Sequence, residues 1–331
     1  MRKLLTAILA IFALGSAAQS EGGLWLGADV DYDISSRWSA ELELGGRLED
    51  NFSTFTRYEA ALGLQYKPLK WLRLGGGYNI IREYSAATAP NLVYKKDPES
   101  PDGIRHDSDG NPVVNGFNAE DAYWRTKHRA YFDLTEKWQL GRFSFSLRER
   151  YQFTDYAPVS GVELKYRHEL EERPGTGYTS PWAGAHADYL PAGVAPYVGP
   201  YVDAYGDEYF YGLTDIKDKD AKTKHILRTR LAVDYNIRRC PVTPFASYEI
   251  YNDLGDAFSI ARHRVSAGVD WKLTRDKRHA LSLAYLYQRE PQDGCATNLH
   301  VLSVGYKFKF ESARAAAQKA AKKKAKKQNK K

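Results

Sequence analysis

The chain of 331 residues carries a formal charge of +7 and holds 24 tyrosines, 13 phenylalanines and 7 tryptophans against one methionine and two cysteines. That composition suits aromatic-belted β structure better than a helical enzyme, and past the first twenty residues no run approaches the roughly 18 consecutive apolar residues of a membrane helix. The charge is unevenly placed: after Phe310 stand Arg314 and eight lysines against Glu311 alone, a net of +8, so the body between residue 20 and Phe310 carries about −3.

Arg2 and Lys3 precede an apolar run from Leu4 to Leu14 and then Gly15, Ser16, Ala17 and Ala18. This is the pattern of a secretory signal peptide over residues 1–20, with cleavage expected between Ala17 and Glu21. No cysteine lies near that point, which argues against a lipoprotein. The exported product is then either soluble or a barrel.

Eleven segments alternate apolar and polar residues with the period of two that a strand imposes. They are 24–34, 38–48, 54–67, 72–84, 123–134, 140–153, 225–237, 244–251, 258–273, 279–289 and 299–310. In the last of them Leu302, Val304, Tyr306, Phe308 and Phe310 occupy one face, while Ser303, Gly305, Lys307 and Lys309 occupy the other. About ten alternating residues ending in aromatics match a tilted membrane-spanning strand with its interfacial girdle. This ending also resembles the signal that bacterial barrel-assembly machinery reads, which makes that machinery and outer-membrane lipids the expected partners.

Connections between these segments alternate between tight and longer, with one long, Ser85 to Ala122, and one very long, Thr154 to Lys224. An up-and-down barrel sorts its connections in this way, with tight turns on the periplasmic rim and loops outside. The expected fold is therefore all-β: an antiparallel up-and-down transmembrane β-barrel of 10–12 strands over residues 21–310, followed by a basic periplasmic tail over 311–331. The count of eleven poses a problem, because bacterial single-chain barrels have even numbers of strands. A first segment lying partly in the lumen, or a strand missed or split, would restore parity.

The sequence resembles the family of predicted outer-membrane barrels known as domain of unknown function 2490. The residues that carry the likeness are Leu24-Trp25, the Trp38 to Arg47 strand, Tyr66-Lys67-Pro68, Gly76-Gly77-Tyr78, Pro244 to Glu249 and Gly305 to Phe308. The resemblance implies a barrel in the outer membrane of a Gram-negative bacterium and brings no catalytic residues with it. The lysine-rich tail departs from the usual ending at a terminal aromatic.

The polar strand face would line the lumen. It offers an acidic wall of Asp29, Asp31, Asp33, Glu41 and Glu43 and a basic wall of Arg125, Lys127, Arg129, Arg148, Arg150, Arg228, Arg230, Arg262 and Arg264. Either the two walls face each other across a water-filled pore with a transverse field, or they pair and plug a small lumen, with Glu59, Asp234, Glu249 and Asp270 completing the network. The lumen of a barrel this size lies between side-chain-filled and open, which favours the plugged or very narrow form.

Catalytic and metal signals are weak. The run His106-Asp107-Ser108-Asp109-Gly110 lies in a long connection without the strand context of a catalytic motif, and it lacks the later ligands of a calcium loop. His128 and His263 fall on apolar strand faces. There is no zinc spacing and no phosphate-binding glycine loop, so no cofactor or metal is expected. Cys240, in a tight turn, and Cys295, in a longer connection, belong to opposite rims, so no bridge between them is expected.

The very long connection carries Tyr178, Trp182, Tyr189, Tyr197, Tyr201, Tyr205, Tyr209 and Tyr211, suited to folding over a mouth or meeting a partner. The tail should be a disordered or partly helical arm that binds peptidoglycan or anionic lipid headgroups rather than nucleic acid. Together these features predict a narrow or plugged channel or a non-catalytic envelope protein. The rival is an outer-membrane lipid-modifying hydrolase of the phospholipase or lipid A deacylase type.

Overall fold

The structure, a computed structural model, describes residues 20–88, 91–168, 197–202, 208–291 and 297–328. Residues 1–19 of the expected signal peptide, Cys295, Tyr178, Trp182, Tyr189 and Tyr205 lie outside them. In chain order the strands are β1 (Ser20–Asp33), β2 (Trp38–Glu49), β3 (Thr54–Tyr66), β4 (Leu72–Ser85), β5 (Asn91–Tyr94), β6 (Val114–Glu120), β7 (Tyr123–Leu140) and β8 (Phe143–Tyr156). There follow β9 (Val159–His168), β10 (Tyr197–Val202), β11 (Glu208–Lys219), β12 (Lys222–Tyr235), β13 (Val242–Asp253), β14 (Ser259–Lys272), β15 (His279–Glu290), β16 (Thr297–Glu311) and the helix α1 (Ala313–Gln328).

Eleven of these strands close a barrel in the order β1-β16-β15-β14-β13-β12-β8-β7-β4-β3-β2. The eleven segments read from alternation are these eleven strands, with ends shifted by a few residues. The fold is thus the expected all-β barrel, and the odd count needs no missing strand. Consecutive antiparallel strands reverse direction ten times, so the first and last run the same way and the ladder that joins them must be parallel. It is: β1 pairs with β16 in parallel along its whole length, from Ser20↔Asn298 through Gly27↔Gly305 to Asp33↔Glu311. β1 is a full wall strand and does not lie in the lumen.

This closure gives a direct prediction. With Cys240 and Cys295 replaced by serine, cysteines at Asp31 and Lys309, which are register partners, should cross-link under mild oxidation and give a species of altered gel mobility. A folded double mutant that does not cross-link would contradict the parallel seam.

The barrel is built inside out relative to a soluble protein. Leu62, Leu140 and Phe132 are 63%, 73% and 56% exposed, whereas Glu249, Thr154 and Gln152 are 3%, 2% and 4% exposed. Such a continuous apolar exterior is stable only against lipid. Among the described residues no helix is long and apolar enough to cross a membrane, which says nothing of crossing by strands.

Inside, the walls of β2, β3 and β4 carry glycines where other strands carry side chains. A Cβ at Gly77 would lie 2.5 Å from both the Leu62 carbonyl oxygen and the Tyr131 hydroxyl, and one at Gly63 would lie 2.6 Å from that same hydroxyl. Tyr131 therefore lies against a glycine trough in the wall.

By its internal contacts the chain forms two compact units, Met1–Glu83 with Thr126–Tyr156 and Thr223–Lys331, and Tyr84–Arg125 with Ala157–Lys222. The stretch read as one domain over 21–310 holds both. The second unit corrects the reading of its two segments as loops: β5, β6, β9, β10 and β11 form a five-stranded sheet in the order β10-β11-β9-β6-β5. Its core is Phe117, Leu164, Tyr166 and Leu213, with the Phe117 and Tyr166 rings stacked at 4.8 Å. The alternation Val162, Leu164, Tyr166 announces β9, but β5 is four residues long and β6 contains Gly116, Asn115 and Asn118, too little pattern to mark a strand.

The tail begins as an ordered helix. Ser312 caps α1 by accepting the Ala315 N–H at 3.0 Å, and its own hydroxyl donates to the Ile34 carbonyl at 2.8 Å. Gln318 accepts the Ser36 N–H at 2.7 Å. The first turns of α1 are thus tied to the tight turn between β1 and β2.

Candidate functional site in the barrel interior

Interior positions recur every second residue along each wall strand, so the strand that supplies one arginine to the lumen supplies the next two residues on. Arg148 and Arg150 come from β8, Arg228 and Arg230 from β12, Arg262 and Arg264 from β14 in this way.

The interior holds three cavities, and these arginines border the first two. The first, about 850 Å³, opens at the long-connection end and is lined by Arg57, Glu83, Lys127, Arg129, Arg228, Tyr251, Arg262, Arg264 and Glu290 among others. The second, about 390 Å³, lies at mid-height and shares Arg47, Arg129, Gln152, Arg228 and Arg264 with it. The third, about 260 Å³, opens at the tight-turn end, between Asp31, Asp33, Glu41, Arg73, Lys307 and Lys309.

One carboxylate organises the basic side. Glu249 accepts Arg228 at 2.8 Å on both oxygens. Arg148 reaches it at 3.1 Å, Arg264 at 3.5 Å and Arg230 at 3.7 Å. Glu83 pairs with Arg57 at 2.6 Å and with Lys127. Asp133 takes Arg150 through two bonds of 2.5 and 2.6 Å, and Glu59 meets Arg47 at 3.5 Å. Aromatic rings support the guanidiniums: Trp25 lies under Arg47 at 3.9 Å and Arg264 at 4.8 Å.

Two expectations change here. Arg125 lines none of these cavities; it belongs to the second unit, where its guanidinium donates to the Ala157 carbonyl at 2.7 Å and the Asp220 carbonyl at 2.5 Å. The other eight members of the basic set border the interior. The picture of one acidic wall opposing one basic wall also fails, because the parallel seam sets Asp29 beside Lys307 and Asp31 beside Lys309. Lys307 reaches Asp31 at 3.4 Å, Glu41 at 3.6 Å and Asp29 at 3.9 Å, and Lys309 reaches Asp33 at 3.2 Å. Glu43 faces the middle cavity. Asp29, Asp31, Asp33 and Glu41 have lysines of β16 within 4 Å, and most of the arginines have carboxylates of their own region, so among the described residues no ion pair joins the two sets.

Arg47, Arg57, Glu83 and Asp133 were not singled out from the sequence. Three lie in phase with a residue that was, Arg57 with Glu59, Asp133 with Arg129 and Arg47 with Glu43, and Glu83 lies on the face of β4 that carries Arg73 and Asn79. Extending the alternation to strand ends would have found them.

The histidines lie elsewhere. His128, His225, His263 and His300 each meet a tyrosine hydroxyl through Nδ1, from Tyr78 at 2.5 Å, Tyr151 at 2.7 Å, Tyr248 at 2.8 Å and Tyr285 at 2.5 Å. All four stand near the long-connection end of their strands on the outward face, and His279 repeats the arrangement with Tyr306 at the opposite end. Where the register is defined the tyrosine sits diagonally, opposite the residue two beyond the histidine, within reach of aromatic side chains. His106 instead meets Asp102 at 3.3 Å. Asp107 accepts the N–H groups of Asn111 and Asp109, which hold its carboxyl below the usual carboxylate range, so this run forms a hydrogen-bonded polar turn.

Residues 22–298 match the family model described as protein of unknown function, DUF2490. The chain belongs to the DUF2490 family. No curated protein matches this DUF2490 chain. Among solved structures it is similar to the beta domain of the Bordetella autotransporter Brka, at 12% identity and a TM-score of 0.41, over 82% of this chain and 83% of that one. It is also similar to the NanC porin, at 13% identity and a TM-score of 0.38, over 88% of this chain and 98% of that one.

Proposed function

We propose that this DUF2490 protein is an outer-membrane channel whose narrow interior favours anions. The observation that carries the reading is the sign of the lining: among the described residues, basic side chains outnumber acidic ones eight to four in the outer cavity, seven to three in the middle and five to three at the tight-turn end. Fixed charge of one sign along low-dielectric walls raises the local concentration of counter-ions and discriminates against like-charged solutes. In planar bilayers under a KCl gradient, the purified protein should give small single-channel currents with a reversal potential displaced toward that of chloride. Electrical silence, or displacement toward potassium, would overturn the proposal, and silence with release of fatty acid from phospholipid or lipid A would favour the hydrolase.

A further inference from the structure

The outer cavity is more than a charged mouth. Its cationic side chains include Arg57 on β3 and Arg129 on β7 in one part of the closed wall and Arg262 and Arg264 on β14 in another, β14 being four strands from β7 one way around the barrel and five from β3 the other way. They are not equally committed. Arg264 and Arg262 have Glu249 and Glu290, whereas Arg129 has no carboxylate within 4 Å among the described residues and donates only its Nε, to the Thr154 hydroxyl at 3.0 Å. The Nε atoms of Arg57, Arg228 and Arg262 are buried and meet no hydrogen-bond partner among the described residues, a costly state for a buried donor. A guanidinium fork matches the oxygens of a carboxylate or phosphate, and a space of about 850 Å³ falls in the range of small-molecule sites. Tyr251 offers no free stacking face for an apolar ligand, since Arg228, Arg262 and Arg264 lie over it at 4.9, 5.3 and 5.2 Å.

From this we infer that the outer cavity is a binding site for a small, strongly polar anion with two acidic groups, one held at Arg57 and Arg129 and the other at Arg262 and Arg264. The inference deepens the reading of the interior as an anion passage: it adds a site at which a doubly charged solute pauses.

Calorimetric titration of the full-length protein in detergent micelles tests it without requiring conductance. Succinate or pyrophosphate should bind at least tenfold more tightly than acetate, and whichever of the two is tighter identifies carboxylate or phosphate as the preferred group. Arg129→Gln should reduce that affinity at least tenfold while acetate binding changes little. Arg129→Lys, which keeps the charge and loses the fork, should fall between, and it serves as the test if Arg129→Gln does not fold. Equal affinity for acetate and succinate, or no loss in a folded Arg129 variant, would overturn the inference. Anion-selective conductance without preferential diacid binding would remove the site and leave the channel, whereas diacid binding by an electrically silent barrel would leave the site and remove the channel.

Discussion

Glu249→Gln is expected to lower the unfolding free energy of the barrel by about 3 kcal/mol, the lower end of what breaking a buried ion pair costs. The glutamate is 3% exposed and serves Arg148, Arg228, Arg230 and Arg264 together. A glutamine of the same shape keeps one acceptor oxygen and removes the charge, so four guanidiniums remain close together with nothing to offset their repulsion. Water in the adjoining cavities softens the effect, which is why the lower end applies. The midpoint of urea unfolding, followed by tryptophan emission in lipid or detergent, is the measurement. Glu290→Gln is the control: Glu290 has a side chain 35% exposed and pairs with Arg262, and such a half-solvated pair contributes about 1 kcal/mol or less. Equal shifts for the two variants would show that Glu249 is not the centre of the network. The Glu249 variant should also become more anion-selective, since its interior gains net positive charge.

Gly268→Ala should be at least as damaging, for a steric reason. A Cβ at this position of β14 would overlap the Leu283 carbonyl oxygen and lie 2.8 Å from the Ala284 Cα. Both belong to the backbone of β15, which pairs with β14 in this register, so neither can rotate away as a side chain would. The two strands must separate or shift. Overpacking against adaptable neighbours already costs about 1–3 kcal/mol, and a rigid ladder gives less relief. The expected outcome is a large loss of the compact, heat-modifiable species on unheated gels. Gly305→Ala, where the nearest atom would be the Ser282 Cβ at 3.6 Å, should fold normally. A Gly268→Ala protein as stable as Gly305→Ala would mean that the β14 and β15 backbones are not so close.

Much of this was legible without coordinates because a strand writes its two environments into alternate residues. The runs Leu302 to Phe310 and Tyr58 to Tyr66 show their lipid face directly, and the alternation of tight and longer connections gives the up-and-down order. The basic set from Lys127 to Arg264 was visible for the same reason. What alternation does not encode is which strands meet. Lys307 and Lys309 looked like the polar side of a closing strand, and only the parallel ladder with β1 makes them the counterions of Asp29, Asp31 and Asp33. Arg125 has the right phase for the lumen but lies at the start of β7, where the chain still belongs to the second unit. The sheet of that unit was obscured because β5 is only four residues long, β6 is polar and interrupted by Gly116, and the pairing joins segments far apart in sequence, such as Phe117 with Tyr166.

The sequence by itself determined that this chain is a β-barrel with an apolar outside and a charged inside, because side-chain phase along a strand is a local property. The tertiary structure decided how the barrel closes, that eleven strands suffice through one parallel seam, and which charge answers which. Those are properties of register between distant strands: a shift of one residue between β1 and β16 would set each aspartate opposite an apolar residue of the closing strand and leave the arginines around Glu249 unchanged.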